Sequence, residues 1–470
     1  MPQIPASTSS LTGRTVGILN AIRNNASAEY YAAVPAAKAT TESIRAVGQA
    51  IVGYQPRMNE FVSALVNRIA RVVVTSRMYQ NPWAFAKKGI LEYGETIEEI
   101  FVDIAKALPF DPVVAESEVF KRNKPNVLSM FHAMNLQTEY PVTISQEQLR
   151  QAFLSMNGVT DLIAKIVNSL YSAANYDEFI MMKYVIAQVA NVGGIAVKTI
   201  SAPSSQANAE AAIVDIKAAS TKFGFMSNNY TGAGNMNFVD KNDVYVITTA
   251  DFDAVTDVDV LAKAFNIERA NWAGRHVPID SFAFNQGEID RLEQLLKDDS
   301  YYQSHKITVN GTLNTDLAKI HAIMMDKNWI QVYDVLNQFT EIYNPKGLYW
   351  NEFFHSWRIY SASPFVNVLM FAVITPAITS VTVTAAGSAT TASAGSRLQY
   401  SAAVVAATSF TNTGVIWSIA EQGSNAHSGT PTVDQNGLAT FPTGTSGVFR
   451  ITATSVVDST KSNYKDVTVS

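Results

Sequence analysis

The longest regular pattern of apolar and polar positions lies between about residues 159 and 192. Apolar side chains return there every three to four residues, which is the period of an α-helix, and the NVGG sequence at 191–194 is typical of a helix end. At about 1.5 Å per residue this helix is about 50 Å long, which suits a structural spine rather than a small domain. The positions that define the pattern are Leu162, Ile163, Ile166, Val167, Leu170, Tyr171 and Ala174.

The period changes to two after residue 377. Side chains two apart share one face of a β-strand, and turn sequences such as AAGS, DQNG and TGTSG separate the runs. Several short strands around one central tryptophan predict a β-sandwich over residues 377–470, with Trp417 in its core. The paired positions are Val381 and Val383, Leu398 and Tyr400, Val415 and Trp417, Phe449 and Ile451, and Val467 and Val469.

The aromatic run NPKGLYWNEFFHSWRIYS at 344–361 fits two periods. Its rings fall on one face of a helix or on one face of a strand, but aromatic and β-branched residues favour strands, and NPKG is a turn sequence. We therefore predict a strand packed against the long helix, with Trp350, Phe353 and Trp357 in the core and His355 as a hydrogen-bonded core residue. The apolar run at 365–374 predicts a further buried strand.

Residues 73–142 alternate extended pieces with proline and glycine and contain few apolar side chains. Such an excursion cannot bury itself, so it either stays flexible or lies on another molecule. The conformation of residues 94–108 stays open, because Ile97, Ile100 and Phe101 fit a helix while the aromatic and β-branched content allows a strand.

Charged residues make up only 16% of the chain, and the net charge is −5. A typical soluble domain has roughly 25% charged residues, so we expect much of the surface to be uncharged or covered by partners, as in a crowded assembly. The negative charge argues against a dedicated nucleic-acid binder. The sequence MPQIPASTSSLTGRT lacks an apolar signal segment, and the apolar run at 365–374 is too short to span a membrane.

Sequence motifs for catalysis or metal binding do not emerge. Calcium-loop spacing fails after Asp251, because Thr256 and Ala262 stand where glycine and glutamate belong. TGAGNMN at 231–237 lacks the remaining residues of a phosphate loop, and we find neither an HExxH nor a GxSxG motif. The chain has no cysteine. We therefore expect no enzymatic activity, no catalytic residues, no cofactor and no bound metal.

Two resemblances give these patterns a context. The tail resembles the group 2 bacterial immunoglobulin-like domain in its V-x-V at 381–383, W-S at 417–418, D-x-x-G-L-A at 434–439 and I-T-A-T-S at 451–455. Most of residues 15–375 resembles the major capsid proteins of phi-29-type short-tailed bacteriophages. The blocks that carry this likeness are LVNRIARVVV at 65–74, NPWAFAKKG at 81–89, GETIEEIFVDI at 94–104, DVDVLAKAFN at 257–266 and NPKGLYWNEFFHSWRIYSAS at 344–363.

The capsid resemblance implies an α+β Hong Kong 97-type fold. It divides residues 1–376 into an N-terminal arm at about 1–55, an E-loop at about 73–142, a spine helix at about 159–192, an axial (A) domain within about 240–340, and returning strands of the peripheral (P) domain at about 341–375. Residues 377–470 form the immunoglobulin-like sandwich. In this fold the E-loop lies along a neighbouring subunit. The contact residues predicted on that basis are Trp83, Lys87, Lys88, Glu98, Glu99, Lys121 and Arg122.

The function implied by the resemblance is assembly of a virion shell in the host bacterial cytoplasm. The implied partners are further copies in hexamers and pentamers, a scaffolding protein, a portal protein and non-specifically enclosed double-stranded DNA, with no membrane. The sandwich either decorates and bridges capsomers, which we favour, or touches bacterial surface sugars. The alternative for the whole chain is a bacterial surface or secreted carbohydrate-interacting protein with an immunoglobulin-like spacer.

Overall fold

The chain folds as a mixed α+β body followed by an all-β module. The computed structural model describes residues 8–72, 79–91, 96–105, 107, 127–154, 158–255, 275–297, 306–426 and 430–470. None of the helices in these ranges is long and apolar enough to cross a membrane. The helices are α1 (Thr8–Asn25), α2 (Ala28–Ala33), α3 (Thr41–Val52), α4 (Gln55–Val72), α5 (Gln146–Ala152), α6 (Gly158–Asn191), α7 (Gln206–Phe223), α8 (Ala250–Val255), α9 (Gln286–Leu295) and α10 (Gly311–Leu317).

Within the described ranges, the body contains eleven strands and the all-β module contains eight. The body strands are β1 (Lys87–Ile90), β2 (Thr96–Val102), β3 (Val127–Ala133), β4 (Leu136–Ser145), β5 (Ala196–Thr199), β6 (Val244–Thr249), β7 (Arg275–Ile279), β8 (Ile320–Asp326), β9 (Ile330–Asn344), β10 (Tyr349–Ala362) and β11 (Val368–Ala372). The module strands are β12 (Ile378–Ala385), β13 (Thr391–Ala392), β14 (Arg397–Ala406), β15 (Val415–Ala426), β16 (Thr432–Val433), β17 (Leu438–Thr440), β18 (Ser446–Ser455) and β19 (Ser462–Val469).

The long helix expected at about 159–192 is α6. Its second half is buried all round, and Ile180, Met182 and Ile186 share one core with apolar side chains from two different sheets. A helix segment with apolar residues on every side is stable only when neighbours cover every side, and the buried charged residues of this segment, such as Glu178, have ion-pair partners. The helix therefore runs through the centre of the body.

The first of these sheets has the strand order β1-β9-β10-β4. The strands β9 and β10 form a long antiparallel pair, and the predicted NPKG turn joins them. Asn344 closes the turn, because its side-chain oxygen accepts hydrogen bonds from the backbone amides of Lys346 and Gly347, both at 3.0 Å. The aromatic run thus forms strand β10, as its composition predicted.

The buried face of β10 includes only one of the three predicted core residues, Trp350. Trp350 is 2% exposed and lies in the core with Phe354, whereas Phe353 and Trp357 lie on the opposite face and are only half-buried. His355 is on that half-buried face too, within hydrogen-bonding distance of Thr340 at 3.1 Å. The assignment of Phe353 and Trp357 to the core was wrong, because aromatic side chains occupy both faces of the strand and alternation alone cannot choose between them.

From residue 8 onward, the N-terminal residues form a packed helical cluster. Side chains of α1 to α4 bury a core with the first half of α6 and with Trp350 of the sheet. Phe153, which follows α5, closes this core against α3, where Gly48 leaves no room for a Cβ atom between the two segments. The arm predicted over about 1–55 is therefore part of the folded body within the described residues.

The second sheet has the order β5-β11-β8-β6-β7, with β11 as the predicted buried strand of the 365–374 run. It draws strands from residues 196–199 and 368–372 as well as from the interval 240–340. The axial (A) domain within about 240–340 stays a prediction; the second sheet takes two of its strands from outside that interval, and β9, which begins inside it, belongs to the first sheet. Residues 256–274, which include the DVDVLAKAFN block at 257–266, lie outside the described residues.

The C-terminal module is a sandwich of two four-stranded sheets, β12-β14-β17-β16 and β13-β19-β18-β15. Trp417 is 6% exposed and lies in the core between them, with its ring 6.4 Å from that of Tyr400. Gly437 has a positive φ of 81°, and a Cβ atom there would collide with the Tyr400 carbonyl and the Trp417 ring. The glycine of the D-x-x-G-L-A motif thus permits close packing on the tryptophan.

Candidate subunit interface

The excursion predicted at 73–142 is shorter in the structure. Strand β1 pairs in parallel with β9, and β4 pairs with β10 along its whole length, so both flanks belong to the body sheet. Between these flanks, β2 and β3 form a separate two-stranded antiparallel sheet. We call this pair the hairpin. It resolves the ambiguity at 94–108, because residues 96–102 are strand.

The two faces of the hairpin differ in exposure. Alternate residues of both strands point outward and are exposed, including Ile100 at 59% and Phe131 at 61%. The register of the two strands places each outward-pointing residue of β2 opposite an outward-pointing residue of β3. We call this set the outer face; its members are Thr96, Glu98, Ile100, Val102, Val127, Ser129, Phe131 and Ala133. Apolar side chains gathered on one exposed sheet face are typical of a contact surface.

The inner face of the hairpin contacts its own body. The Phe101 ring stacks on Phe365 with 5.9 Å between centroids. His132 is buried, and Glu99 reaches Ser363 of the segment that follows β10. Burial, and then the charge of Glu99, raises the pKa of Tyr333 on the neighbouring strand. The hairpin therefore rests on the body with one face and leaves the other face uncovered.

The base of the excursion is fixed by four charged side chains, which we call the ionic ring. Lys87 lies 3.0 Å from the Glu178 carboxylate and 3.1 Å from that of Asp334. Arg358 bridges the same two carboxylates, at 3.2 Å from Glu178 and 2.8 Å from Asp334. The ring joins β1, α6, β9 and β10 through alternating charges. Because each charge contacts two opposite charges, the arrangement constrains the direction in which the chain leaves β1.

Several residues predicted to contact a neighbouring subunit lie instead within the body. Trp83 is fully buried, with its ring 5.2 Å from Phe179 of α6, so it is a core residue. Lys87 belongs to the ionic ring, and the Lys88 ammonium donates to the Lys327 carbonyl and the Asn328 side chain, both at 2.9 Å. The prediction for Trp83 was wrong, because sequence alone did not show that the first part of the excursion returns to the sheet. The Lys87 side chain is still 30% exposed, and the contacts of Lys87 and Lys88 with a neighbouring subunit stay predictions.

The remaining predicted contact residues have different positions. Glu98 is on the outer face, whereas Glu99 points inward. Lys121 and Arg122 lie outside the described residues. The exposed apolar residues Ile100, Val102, Val127 and Phe131 were not singled out from sequence. The alternation of the β2 sequence could have indicated them, had a strand been chosen there.

The sandwich is joined to the body by more than its linker. Phe410, between β14 and β15, is 2% exposed and lies in the core of α6 and the two body sheets. Its neighbour Thr411 approaches Gly193 at the end of α6 so closely that a Cβ atom on Gly193 would lie 2.6 Å from the Thr411 carbonyl. Ser409 hydrogen-bonds Asp316 of the body. The module is thus packed on the body as a fixed unit.

Comparison with known proteins identifies the family. The family model of the Phi29-like phage major capsid protein matches residues 19–372. The chain belongs to this family. The major capsid protein of Bacillus phage B103 is 36% identical over 375 residues, covering 78% of this chain and 76% of the relative. That of Bacillus phage PZA is 33% identical over 408 residues, covering 86% of this chain and 82% of the relative.

The solved structures add a more distant likeness. One chain in the structure of the head fiber and inner core protein gp22 of native bacteriophage P68 has a TM-score of 0.48 and 16% sequence identity, covering 64% of this chain and 86% of that one. This likeness is too distant to bear on function. The family match confirms the capsid resemblance and makes the chain a structural protein of the phage virion. It does not favour the alternative of a bacterial surface or secreted protein.

Within the described residues, no three histidine or carboxylate side chains lie close enough to hold a metal ion. The outer face of the hairpin carries exposed apolar side chains beside an ion-paired base, and it is our candidate subunit interface.

Proposed function

We propose that this capsid protein builds its shell by placing the hairpin on a neighbouring copy, as the E-loop of a Hong Kong 97-type subunit. The observation that carries the proposal is the outer face, whose apolar side chains remain exposed although the base of the same excursion is fixed. Burying this face requires a partner. A second copy of the chain supplies one without any further component.

The shell then forms through hexamers and pentamers of the same chain. Heterologous contacts form a closed ring when the rotation from one copy to the next adds up to a full turn. Many weak contacts together then stabilise the closed assembly. Scaffolding and portal proteins complete the proposed set of partners by family likeness. The net charge of −5 supports non-specific enclosure of double-stranded DNA rather than tight binding.

A charged residue on the outer face tests this proposal. Replacing Ile100 with Asp places a carboxylate in the middle of the proposed contact, so we expect unassembled subunits instead of closed shells when the variant is expressed with its scaffolding partner. The matched control is Val214→Asp. Val214 is 66% exposed and lies on α7, which packs on the second sheet. Electron microscopy and sedimentation report assembly, and circular dichroism reports folding. Closed shells at wild-type yield from Ile100→Asp would refute the contact.

We also propose that the sandwich is an immunoglobulin-like module that decorates or bridges capsomers. Among its described residues Tyr464 is the one exposed aromatic side chain, and the Arg450 guanidinium covers its ring at 3.6 Å. Arg450 is itself held by Asp466 at 2.8 and 2.9 Å. With one face covered by Arg450, a single ring of this kind is a poor platform for a sugar, which supports the role in the shell. Adsorption of Tyr464→Ala shells to host cells separates the two roles, since a loss would assign the module to the host surface.

A further inference from the structure

Four polar side chains connect the inner face of the hairpin to the body. Glu99 and His132 are diagonal neighbours on that face, since His132 lies opposite Ile97 and Glu99 opposite Met130. The His132 ring is within 3.0 Å of the Glu99 carboxylate through Nε2 and within 2.6 Å of the Ser361 hydroxyl through Nδ1. The second Glu99 oxygen accepts a hydrogen bond from the Ser363 hydroxyl at 2.8 Å.

The body side of this cluster is rigid. Ser361 lies at the end of β10, where it pairs with Gln331 of β9. Ser363 is fully buried, and its backbone amide donates to the Trp329 carbonyl at 2.8 Å. Its hydroxyl also accepts from the Phe365 amide at 3.2 Å. Both hydroxyls are therefore held at fixed positions by the body sheet and the segment after it.

The hairpin side is buried to a matching extent. His132 is 1% exposed, although its strand neighbours Phe131 and Ala133 are exposed. Both ring nitrogens have partners, so rotation of the imidazole or tilting of the hairpin breaks at least one hydrogen bond. Hydrogen bonds weaken steeply with angle, whereas the nearby stacking of Phe101 on Phe365 tolerates rotation. The polar contacts are therefore the part of this junction that depends on orientation.

We propose that Glu99, His132, Ser361 and Ser363 form a latch that fixes the angle at which the hairpin leaves the body. The latch determines where the outer face is presented to a neighbouring copy. Its role in assembly rests on the proposed function of that face, but its effect on the hairpin does not. These four are positioning residues, because none of them lies on the outer face.

Removing the two hydroxyls tests the latch with little change in volume. In the full-length unassembled subunit, Ser361→Ala/Ser363→Ala is expected to speed amide hydrogen exchange at least tenfold in residues 96–102 and 127–133 and to leave exchange in α6 unchanged. The matched control is Ser356→Ala. Ser356 is a buried β10 serine that donates to Asn337 at 3.1 Å and has no part in the latch. If the double variant fails to fold, Ser361→Ala alone is expected to give a smaller increase in the same peptides.

Assembly provides the second measurement. The latch variant is expected to reduce the yield of closed shells at least fivefold and to increase open or misshapen particles, while Ser356→Ala assembles as wild type. Unchanged exchange in the hairpin would overturn the latch whatever the shells look like. Faster exchange with normal shells would overturn its role in assembly. Closed shells from Ile100→Asp would instead refute the proposed contact and leave the exchange result standing.

Discussion

Glu352 is a carboxyl group buried between the four-stranded sheet and the N-terminal helices. It is 1% exposed, and neither of its oxygens has a hydrogen-bond partner within the described part of the chain. On its face of β10 it lies between Trp350 and Phe354, and it stands directly opposite Glu341 of β9. Burial first, and the Glu341 carboxylate second, raises the pKa of Glu352 from 4.5 to about 8. At neutral pH the group is therefore mostly protonated in the folded chain.

The raised pKa sets both the sign and the size of a pH effect. In the unfolded chain Glu352 loses its proton near pH 4.5, whereas the folded chain keeps it up to about pH 8. The folded state thus binds more protons across this window, and stability falls as the pH rises through it. Each pH unit contributes about 1.4 kcal/mol, so the total loss is on the order of 5 kcal/mol. Below the window the stabilisation from this group is fully present.

Glu352→Gln removes the ionisation and keeps the shape. We expect the variant to exceed the wild-type chain by only about 1 kcal/mol at pH 5 and by several times as much at pH 8.5. With an entropy of unfolding of about 2 cal/mol/K per residue, a difference of about 5 kcal/mol in a body of this size corresponds to a melting temperature about 5 to 7 °C higher. Thermal unfolding of the unassembled chain, followed by circular dichroism between pH 5 and 9, measures this difference.

The neighbouring carboxylate offers a matched control. Glu341 lies opposite Glu352 but is exposed, and Ser63 of α4 hydrogen-bonds it. Glu341→Gln removes only the smaller of the two causes that raise the pKa of Glu352. It should therefore reduce the pH dependence of stability less than Glu352→Gln does. Parallel melting curves for wild type and Glu352→Gln over the whole pH range would refute the assignment of a buried neutral carboxyl.

Two further predictions concern the core. Phe410→Ala should lower stability by about 3 to 5 kcal/mol and separate the unfolding of the sandwich from that of the body, which calorimetry detects as a second transition; Tyr464→Ala, on the exposed surface, should do neither. Trp350→Ala should cost about 3 to 5 kcal/mol, whereas Trp357→Ala on the half-buried face should cost about half as much. Equal losses in thermal unfolding from the two tryptophan variants would contradict the assignment of the faces of β10.

The elements that sequence predicted well are those whose side chains repeat along one segment. The helix α6 repeats apolar residues over its whole length, and the strands of the sandwich repeat them two apart between clear turns. Strand β10 was predicted from its composition and from the turn before it. In each case the information is local, because period and turn chemistry depend only on neighbours in the chain.

The candidate site was harder to predict because its determinants are distant in sequence. From sequence alone Lys87 is indistinguishable from a surface lysine. Its partners Glu178 and Asp334 are on α6 and β9, which only the fold places beside it. The buried face of β10 includes Glu352 and Arg358. The pattern of polar residues along the strand therefore predicts that this face is exposed, although it is buried. Phe410 lies in a stretch rich in serine and threonine, and no local pattern places it in the core of another domain.

The distribution of polar contacts around the excursion explains how a weak, exposed surface can direct assembly. A buried ionic ring adds little to stability, since apolar replacements of similar volume are often neutral or better. The ring instead constrains the direction in which the chain leaves β1, because Lys87 and Arg358 each contact two carboxylates at once. The latch repeats this arrangement at the inner face of the hairpin. In the proposed contact, the apolar outer face would supply contact energy that is insensitive to angle, and the polar groups would fix the angle. Shell curvature would then depend on residues that never touch the neighbouring copy.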